Sequence, residues 1–108
     1  MPDLDHLKKL LGNETLVARF IELFGRQMPV QMTTLRQYID QKQWENAAAE
    51  AHTIKGQLGY LNEEEAMALA YDIERLAERE EGDAARQMTE RLAEKVEQIV
   101  AALKAAVL

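Results

Sequence analysis

A histidine, a lysine and two glycines share one face of a predicted helix near the middle of the chain. His52, Lys55, Gly56 and Gly59 stand at positions i, i+3, i+4 and i+7 of the segment WENAAAEAHTIKGQLGYL, residues 44–61. At about 100° per residue, this spacing gathers them into one stripe. The imidazole offers a nucleophilic nitrogen, the lysine adds positive charge, and glycine leaves room for an approaching group. The stripe is therefore suited to holding a negatively charged group that is bonded covalently to the histidine ring.

The same helix carries an apolar face that points elsewhere. Apolar residues at steps of three and four predict the side that packs in the core: Trp44, Ala47, Ala51, Ile54, Leu58 and Leu61. That face is rotated by about 130° from the histidine stripe, so His52 is predicted to point away from the core. Two glycines inside a helix cost about 1 kcal/mol each relative to alanine, and core packing gives no reason for that cost.

Each of these residues also has an ordinary structural interpretation. A helical histidine is more often a surface residue than a reactive one, and a lysine is usually a solvated flank residue. Gly59 could permit close packing of a neighbouring helix instead of extending a bare surface. We interpret the other histidine, His6, as an ordinary surface side chain.

Residues 51–56, Ala-His-Thr-Ile-Lys-Gly, resemble the His-x-x-Lys-Gly signature of histidine-containing phosphotransfer (HPt) domains, the carrier modules of bacterial and fungal phosphorelays. The segment 40–50 also resembles the lead-in of that family, and the likeness in length and helical layout extends over nearly the whole chain. The resemblance implies that His52 is phosphorylated on Nε2 while a hydrogen bond holds Nδ1. It also implies that Lys55 stabilises the phosphoryl group.

Further residues are expected around the ring. The glycines Gly56 and Gly59 would keep space for the phosphoryl group and for a partner. Glu74 lies where family members carry Gln or Glu, and an antiparallel helix would return it to the histidine, so we expect it to accept a hydrogen bond from Nδ1. Gln57 stands where the family tends to carry a small residue, and it could either hydrogen-bond at the pocket edge or lie on the flank. Many members have a glycine where this chain has Asn62, so we expect the helix end to differ there.

Composition excludes several other classes of protein. The 108 residues suit one domain, and the 47% hydrophobic content is typical of a globular chain. A formal charge of −6 argues against a nucleic-acid partner. The chain has no cysteine and two histidines, so we expect neither a disulfide nor a metal site. No apolar run approaches about 18 residues and the N-terminal segment is charged, so we expect a cytoplasmic protein without a membrane span.

Apolar periodicity predicts an all-α chain. We expect a short helix over residues 3–11 and longer helices over 14–25, 29–41, 43–61, 63–81 and 84–107. Gly25 and Pro29 interrupt the pattern, and the sequence leaves open whether they separate two helices or kink one. Asn62 and Glu65 are predicted to form the N-cap and capping box of the following helix. The expected architecture is an antiparallel up-down four-helix bundle capped by the short first helix, with residues 1–108 as one domain.

The resemblance implies a carrier rather than an enzyme. The sequence has no glycine-rich phosphate loop and none of the ATP-binding boxes of histidine kinases, so we expect no kinase activity and no bound cofactor. The implied partners are response-regulator receiver domains, which would bring Mg²⁺, or a hybrid sensor histidine kinase. We expect a monomer that docks through exposed parts of residues 7–24 together with Ala48, Gly56 and Gly59.

Three alternatives remain at the level of sequence. The chain could be a kinase-phosphorylated input domain of a chemotaxis-type kinase, for which a longer parent chain with ATPase parts would be diagnostic. It could be an adaptor that is never phosphorylated, in which case His52 would be dispensable. A plain helical bundle is the third, and it leaves the helix glycines unexplained. The sequence names neither the donor nor the acceptor, and it does not say whether the chain stands alone or belongs to a hybrid kinase.

Overall fold

The computed structural model describes residues 2–107, with only the backbone of Val107, and this part of the chain is helical without a strand. Its helices are α1 (Leu4–Leu11), α2 (Glu14–Asp40), α3 (Trp44–Gly59), α4 (Glu64–Glu78) and α5 (Gly82–Val107). The long helices form a ring in which α2 and α4 each pack against both α3 and α5, and α1 packs on α2. The prediction of an all-α helical bundle is confirmed.

The core lies along the axis of this ring. Each long helix contributes a fully buried aliphatic residue, namely Leu35, Ile54, Ile73 and Leu92. Helices α3 and α4, which pack against each other, carry five fully buried alanines, Ala47, Ala51, Ala66, Ala70 and Ala77. Because small side chains let helix axes approach closely, these alanines bring the surface residues of α3 and α4 within reach of one another.

Helix α2 is continuous through the segment where the sequence predicted two helices, so the division into 14–25 and 29–41 is wrong. Pro29 lies inside the helix and removes one backbone hydrogen bond, at a cost of about 3 kcal/mol. Buried residues nevertheless continue on both sides of the interruption, among them Phe24, Met28 and Met32. Each contributes about 1.5–3 kcal/mol on burial, and together they outweigh the local cost.

The connection between α3 and α4 is tied to the start of α1. The Asp3 N–H donates to the Leu61 carbonyl at 3.0 Å, and the Asn62 side-chain amide donates to the Asp3 carboxylate at 3.4 Å. Asn62 has a φ of 53°, and Glu63 is the residue that precedes α4. The predicted capping box is therefore wrong, since Asn62 faces α1 and Glu65 pairs with Lys95 of α5.

The turn between α4 and α5 ends α4 three residues earlier than predicted. Glu80 adopts a left-handed φ of 58°, and the Glu81 N–H donates back to the Leu76 carbonyl at 2.9 Å. At Gly82 a Cβ atom would lie 3.1 Å from the Trp44 ring. The glycine therefore lets the indole pack against the start of α5.

None of the helices in residues 2–107 combines the length and apolarity needed to cross a membrane.

Candidate functional site

Helix α3 presents His52 to solvent. Its neighbours in sequence divide as the helical period predicts, with Ala51 and Ile54 fully buried and Gly56 exposed. The side chain of His52 is 66% exposed. A partner molecule can therefore reach the ring without any movement of the bundle.

Glu74 of α4 holds one nitrogen of this ring. Its Oε1 lies 3.2 Å from His52 Nδ1, and the glutamate side chain is only 15% exposed. An ionised carboxylate only accepts hydrogen bonds, so this contact assigns the proton of a neutral imidazole to Nδ1. The lone pair of Nε2 is then free on the other side of the ring. The structure thus brings together the two residues that the sequence paired.

Lys55 lies beside an aromatic ring that the sequence analysis did not identify. Its Nζ is 5.1 Å from the centroid of the Tyr71 ring, and the guanidinium carbon of Arg75 is 5.2 Å from the same centroid. Tyr71 is 44% exposed. Tyr71 precedes Glu74 by three residues, so helical spacing could have placed it on the same flank of α4.

Three pairs of residues follow one antiparallel register along the edge between α3 and α4. His52 faces Glu74, Lys55 faces Tyr71, and Gly59 faces Met67. Each pair lies about one helical turn from the next. The candidate site is therefore a strip on the α3–α4 edge rather than a closed pocket.

The two glycines of the stripe have different surroundings. A Cβ atom added to Gly56 would have no heavy atom within 4 Å apart from its own helix. A Cβ atom at Gly59 would lie 3.6 Å from Met67 Cε, an ordinary contact with α4. The open space is at Gly56, whereas Gly59 lies against the neighbouring helix.

Gln57 lies on the opposite flank of α3. It borders a shallow cavity of about 290 Å³ together with Leu11, Phe20 and Tyr60, among others. Its Oε1 atom is buried and has no hydrogen-bond partner among the described residues. The structure does not bring Gln57 to the His52–Glu74 pair.

Much of the predicted docking region is core. Leu7, Ile21 and Phe24 are buried, whereas Leu10 and Leu16 are exposed. Ala48 and Phe20 are partly buried and pack against the core. The Phe20 ring packs against the Tyr60 ring in a tilted arrangement, with 5.3 Å between centroids, and Tyr60 is 43% exposed. The apolar surface near α3 is thus narrower than the sequence suggested, and it includes Tyr60.

The arrangement suits attack by a neutral imidazole on an electrophile that carries negative charge. Glu74 is positioned to stabilise positive charge that develops on the ring, and Lys55 and Arg75 add positive charge nearby. Within residues 2–107, no group of three or more His, Cys, Asp or Glu side chains is arranged to hold a metal ion. An anionic electrophile brought by a second molecule fits this chemistry.

A scan against protein-family models matches residues 19–106 to the Hpt domain. The matched region runs from the first part of α2 almost to the end of α5 and includes His52, Lys55 and Glu74. Neither the search of curated proteins nor that of solved structures returns a significant match.

Proposed function

This chain belongs to the Hpt domain family, and we propose that it carries a phosphoryl group on His52 between the aspartates of two receiver domains. Hpt domains act in histidine phosphotransfer in phosphorelays, and they are phosphocarriers rather than enzymes with a catalytic activity of their own. The observation that carries the proposal is the exposed ring of His52, whose Nδ1 lies 3.2 Å from the Glu74 carboxylate.

The transfer is a displacement at phosphorus. The Nε2 lone pair of His52 attacks the aspartyl phosphate of the donor receiver in line with the bond to the carboxyl oxygen. The P–N bond forms, the P–O bond breaks, and its electron pair returns to the aspartate as a carboxylate. The proton stays on Nδ1, so the phosphorylated ring is an imidazolium that the Glu74 carboxylate stabilises. Delivery to the second receiver is the reverse displacement.

The two partners supply different parts of the reaction. We expect the receiver to bring Mg²⁺ together with its aspartate, as phosphoryl transfer needs charge neutralisation on the moving oxygens. This chain supplies the oriented imidazole of His52 as the nucleophile, and Lys55 supplies positive charge one helical turn away. Gly56 leaves open surface one turn after His52, since a Cβ atom there would have no heavy atom within 4 Å apart from its chain neighbours and the backbone of its own helix.

Docking of the receiver uses the apolar surface on the α2 side of His52. An acidic carrier of formal charge −6 gains little from overall steering towards an acidic receiver pocket, so an apolar contact is favoured. The exposed ring of Tyr60, which packs against Phe20, lies about two helical turns from His52 and offers that contact. Gly56 lies between them along α3.

The decisive test measures phosphoryl transfer to the isolated chain. The purified protein is incubated with a phosphorylated receiver domain, and acid-labile, base-stable phosphate is scored on wild type and on His52→Gln. We expect label on the wild type only. Equal labelling of both proteins would end the proposal.

The same assay separates the alternatives. A second reaction contains the ATP-binding part of a histidine kinase with ATP in place of the receiver. Label from the kinase alone would favour a kinase input domain. Absence of label from both donors, with retained binding to the receiver, would favour an adaptor.

A further inference from the structure

Tyr71 is an exposed aromatic residue whose ring is flanked by two cations. The Lys55 ammonium lies 5.1 Å and the Arg75 guanidinium 5.2 Å from its centroid. Cations within about 6 Å of an aromatic centroid are attracted by the negative face of the ring. The ring therefore restricts where the flexible lysine side chain can lie.

The two cations are not equivalent. Arg75 also pairs with Glu78 on its own helix, with 3.4 Å between nitrogen and oxygen. Within residues 2–107, no carboxylate lies within ion-pair distance of Lys55, whose ammonium lies instead over the Tyr71 ring. A lysine held by a neutral ring keeps its full charge available, whereas a carboxylate partner would compete with an incoming phosphoryl group.

We propose that Tyr71 is a positioning residue that holds the Lys55 ammonium at the α3–α4 edge, one turn from His52, ready for a phosphoryl group on Nε2. This inference rests on the proposed phosphocarrier function. Holding the lysine in advance lowers the entropy lost when the ammonium meets the phosphoryl oxygens. The proposed role of Tyr71 runs through the ammonium of Lys55, which lies 5.1 Å from its ring centroid.

The contact between Lys55 and the Tyr71 ring can be detected without any phosphotransfer. Protons above an aromatic face are shifted upfield in NMR spectra, so the ε-methylene signal of Lys55 reports its contact with the ring. We expect the upfield shift in the wild type and in Tyr71→Phe, which keeps the aromatic face. It should disappear in Tyr71→Leu and persist in Tyr60→Leu, a matched control at an equally exposed tyrosine on the other flank. An unshifted Lys55 signal in the wild type would overturn the proposal.

The contribution to transfer is measured by a double-mutant cycle between Tyr71 and Lys55. A cation–π contact at an exposed site changes an equilibrium by about two- to fivefold. We expect Tyr71→Leu to slow transfer from a phosphorylated receiver by about that factor when Lys55 is present. In a Lys55→Ala background the same change should have no effect, and Tyr71→Phe should keep the wild-type rate.

The outcomes separate this inference from the function on which it rests. Equal slowing by Tyr71→Leu in both backgrounds would mean that the tyrosine acts on docking or folding, and it would overturn the positioning role, as would no slowing at all. Failure of the phosphocarrier function appears elsewhere, as equal label on wild type and His52→Gln. In that event the dependence of the Lys55 NMR signal on Tyr71 still decides whether the Tyr71 ring holds the lysine side chain.

Discussion

The Nδ1 atom of His52 lies 3.2 Å from Oε1 of Glu74, and the two side chains differ in exposure, at 66% and 15%. The contact joins a solvated imidazole to a largely buried carboxylate across the α3–α4 interface. Because the acceptor is packed into the interface, it has little freedom to move, and it fixes the angle of a ring that would otherwise rotate. The bundle thereby orients the imidazole without enclosing it.

Replacement of Glu74 should change both the tautomer of His52 and the rate of transfer. In Glu74→Ala the Nδ1–H loses its acceptor, so we expect the proton to redistribute towards Nε2 and transfer to slow by about tenfold. Glu74→Gln keeps a carbonyl acceptor but loses the charge, so its effect should be smaller. Nitrogen NMR of the imidazole gives the tautomer ratio, and transfer from a phosphorylated receiver gives the rate. An unchanged tautomer ratio in Glu74→Ala would show that the contact does not set the ring's protonation.

The His52–Glu74 pair could be anticipated because the resemblance to HPt domains pointed to a Gln or Glu at position 74, and antiparallel packing of neighbouring helices would return that residue to the histidine. Tyr71 was missed because no motif marks it, although the register that pairs His52 with Glu74 also places this residue, one turn earlier on α4, opposite Lys55. Gln57 is a different case. Five residues after His52 it is rotated by about 140° around α3, so the sequence already contained the signal that it lies on the other flank.

The continuity of α2 could not be predicted because local and tertiary effects oppose each other there. Gly25 and Pro29 both have low helix propensity. A prediction from local propensity alone therefore ends the helix at these residues. The burial of Phe24 and Met28 depends on the other helices that pack against α2, chiefly α3 and α5. Local sequence thus predicted which face of each helix is buried. It did not predict that packing against other helices would keep α2 continuous through Gly25 and Pro29.

Removal of the Lys55 charge should slow transfer without altering the fold. We expect Lys55→Ala to reduce the transfer rate by about tenfold, because the ammonium offsets charge on the moving phosphoryl oxygens. Its circular dichroism should match that of the wild type. Lys104→Ala is the matched control, since it removes an exposed positive charge from α5, which packs on α2 and α4. Equal slowing by the two variants would assign the effect to net charge rather than to the site.

A negative charge at Tyr60 should weaken docking of the receiver. Tyr60→Glu replaces an exposed aromatic ring with a carboxylate, and both the lost apolar contact and the repulsion from an acidic receiver disfavour binding. We expect the Kd for the receiver to rise by about tenfold or more, measured by titration calorimetry. Gln98→Glu adds the same charge on α5 and should leave the Kd near the wild-type value. A Kd that responds equally to both changes would place the docking surface elsewhere.

The start of α1 should contribute a pH-dependent stability. The His6 backbone N–H donates to the Asp3 carboxylate at 2.9 Å and, with a smaller contribution from the Asn62 amide, holds the pKa of Asp3 below its usual value of 3.8. A lowered folded-state pKa means that this contribution is present above pH 3.8 and is lost as the pH falls through the folded-state pKa. We therefore expect Asp3→Ala to lower the Tm at pH 7 and to lose part of that difference at pH 2.5. Asp5→Ala, which removes a carboxylate from the first turn of α1, serves as the control and should show a smaller difference at pH 7.

Alanine at Gly56 should separate stability from function. The added methyl group meets no heavy atom outside its helix within 4 Å, so the substitution should stabilise the protein by up to about 1 kcal/mol through helix propensity. The methyl group does not reach the His52 ring, but it fills part of the open surface one turn after His52 on which a receiver would approach, so transfer should slow. Gly25→Ala is the matched control. Its Cβ atom would lie 3.8 Å from Val100 of α5, an ordinary contact that is away from the α3–α4 edge where His52 lies. Chemical denaturation should show a similar gain for both variants, and the transfer assay should show slowing in Gly56→Ala alone. Unimpaired transfer by Gly56→Ala would mean that a partner does not need the open space at this glycine.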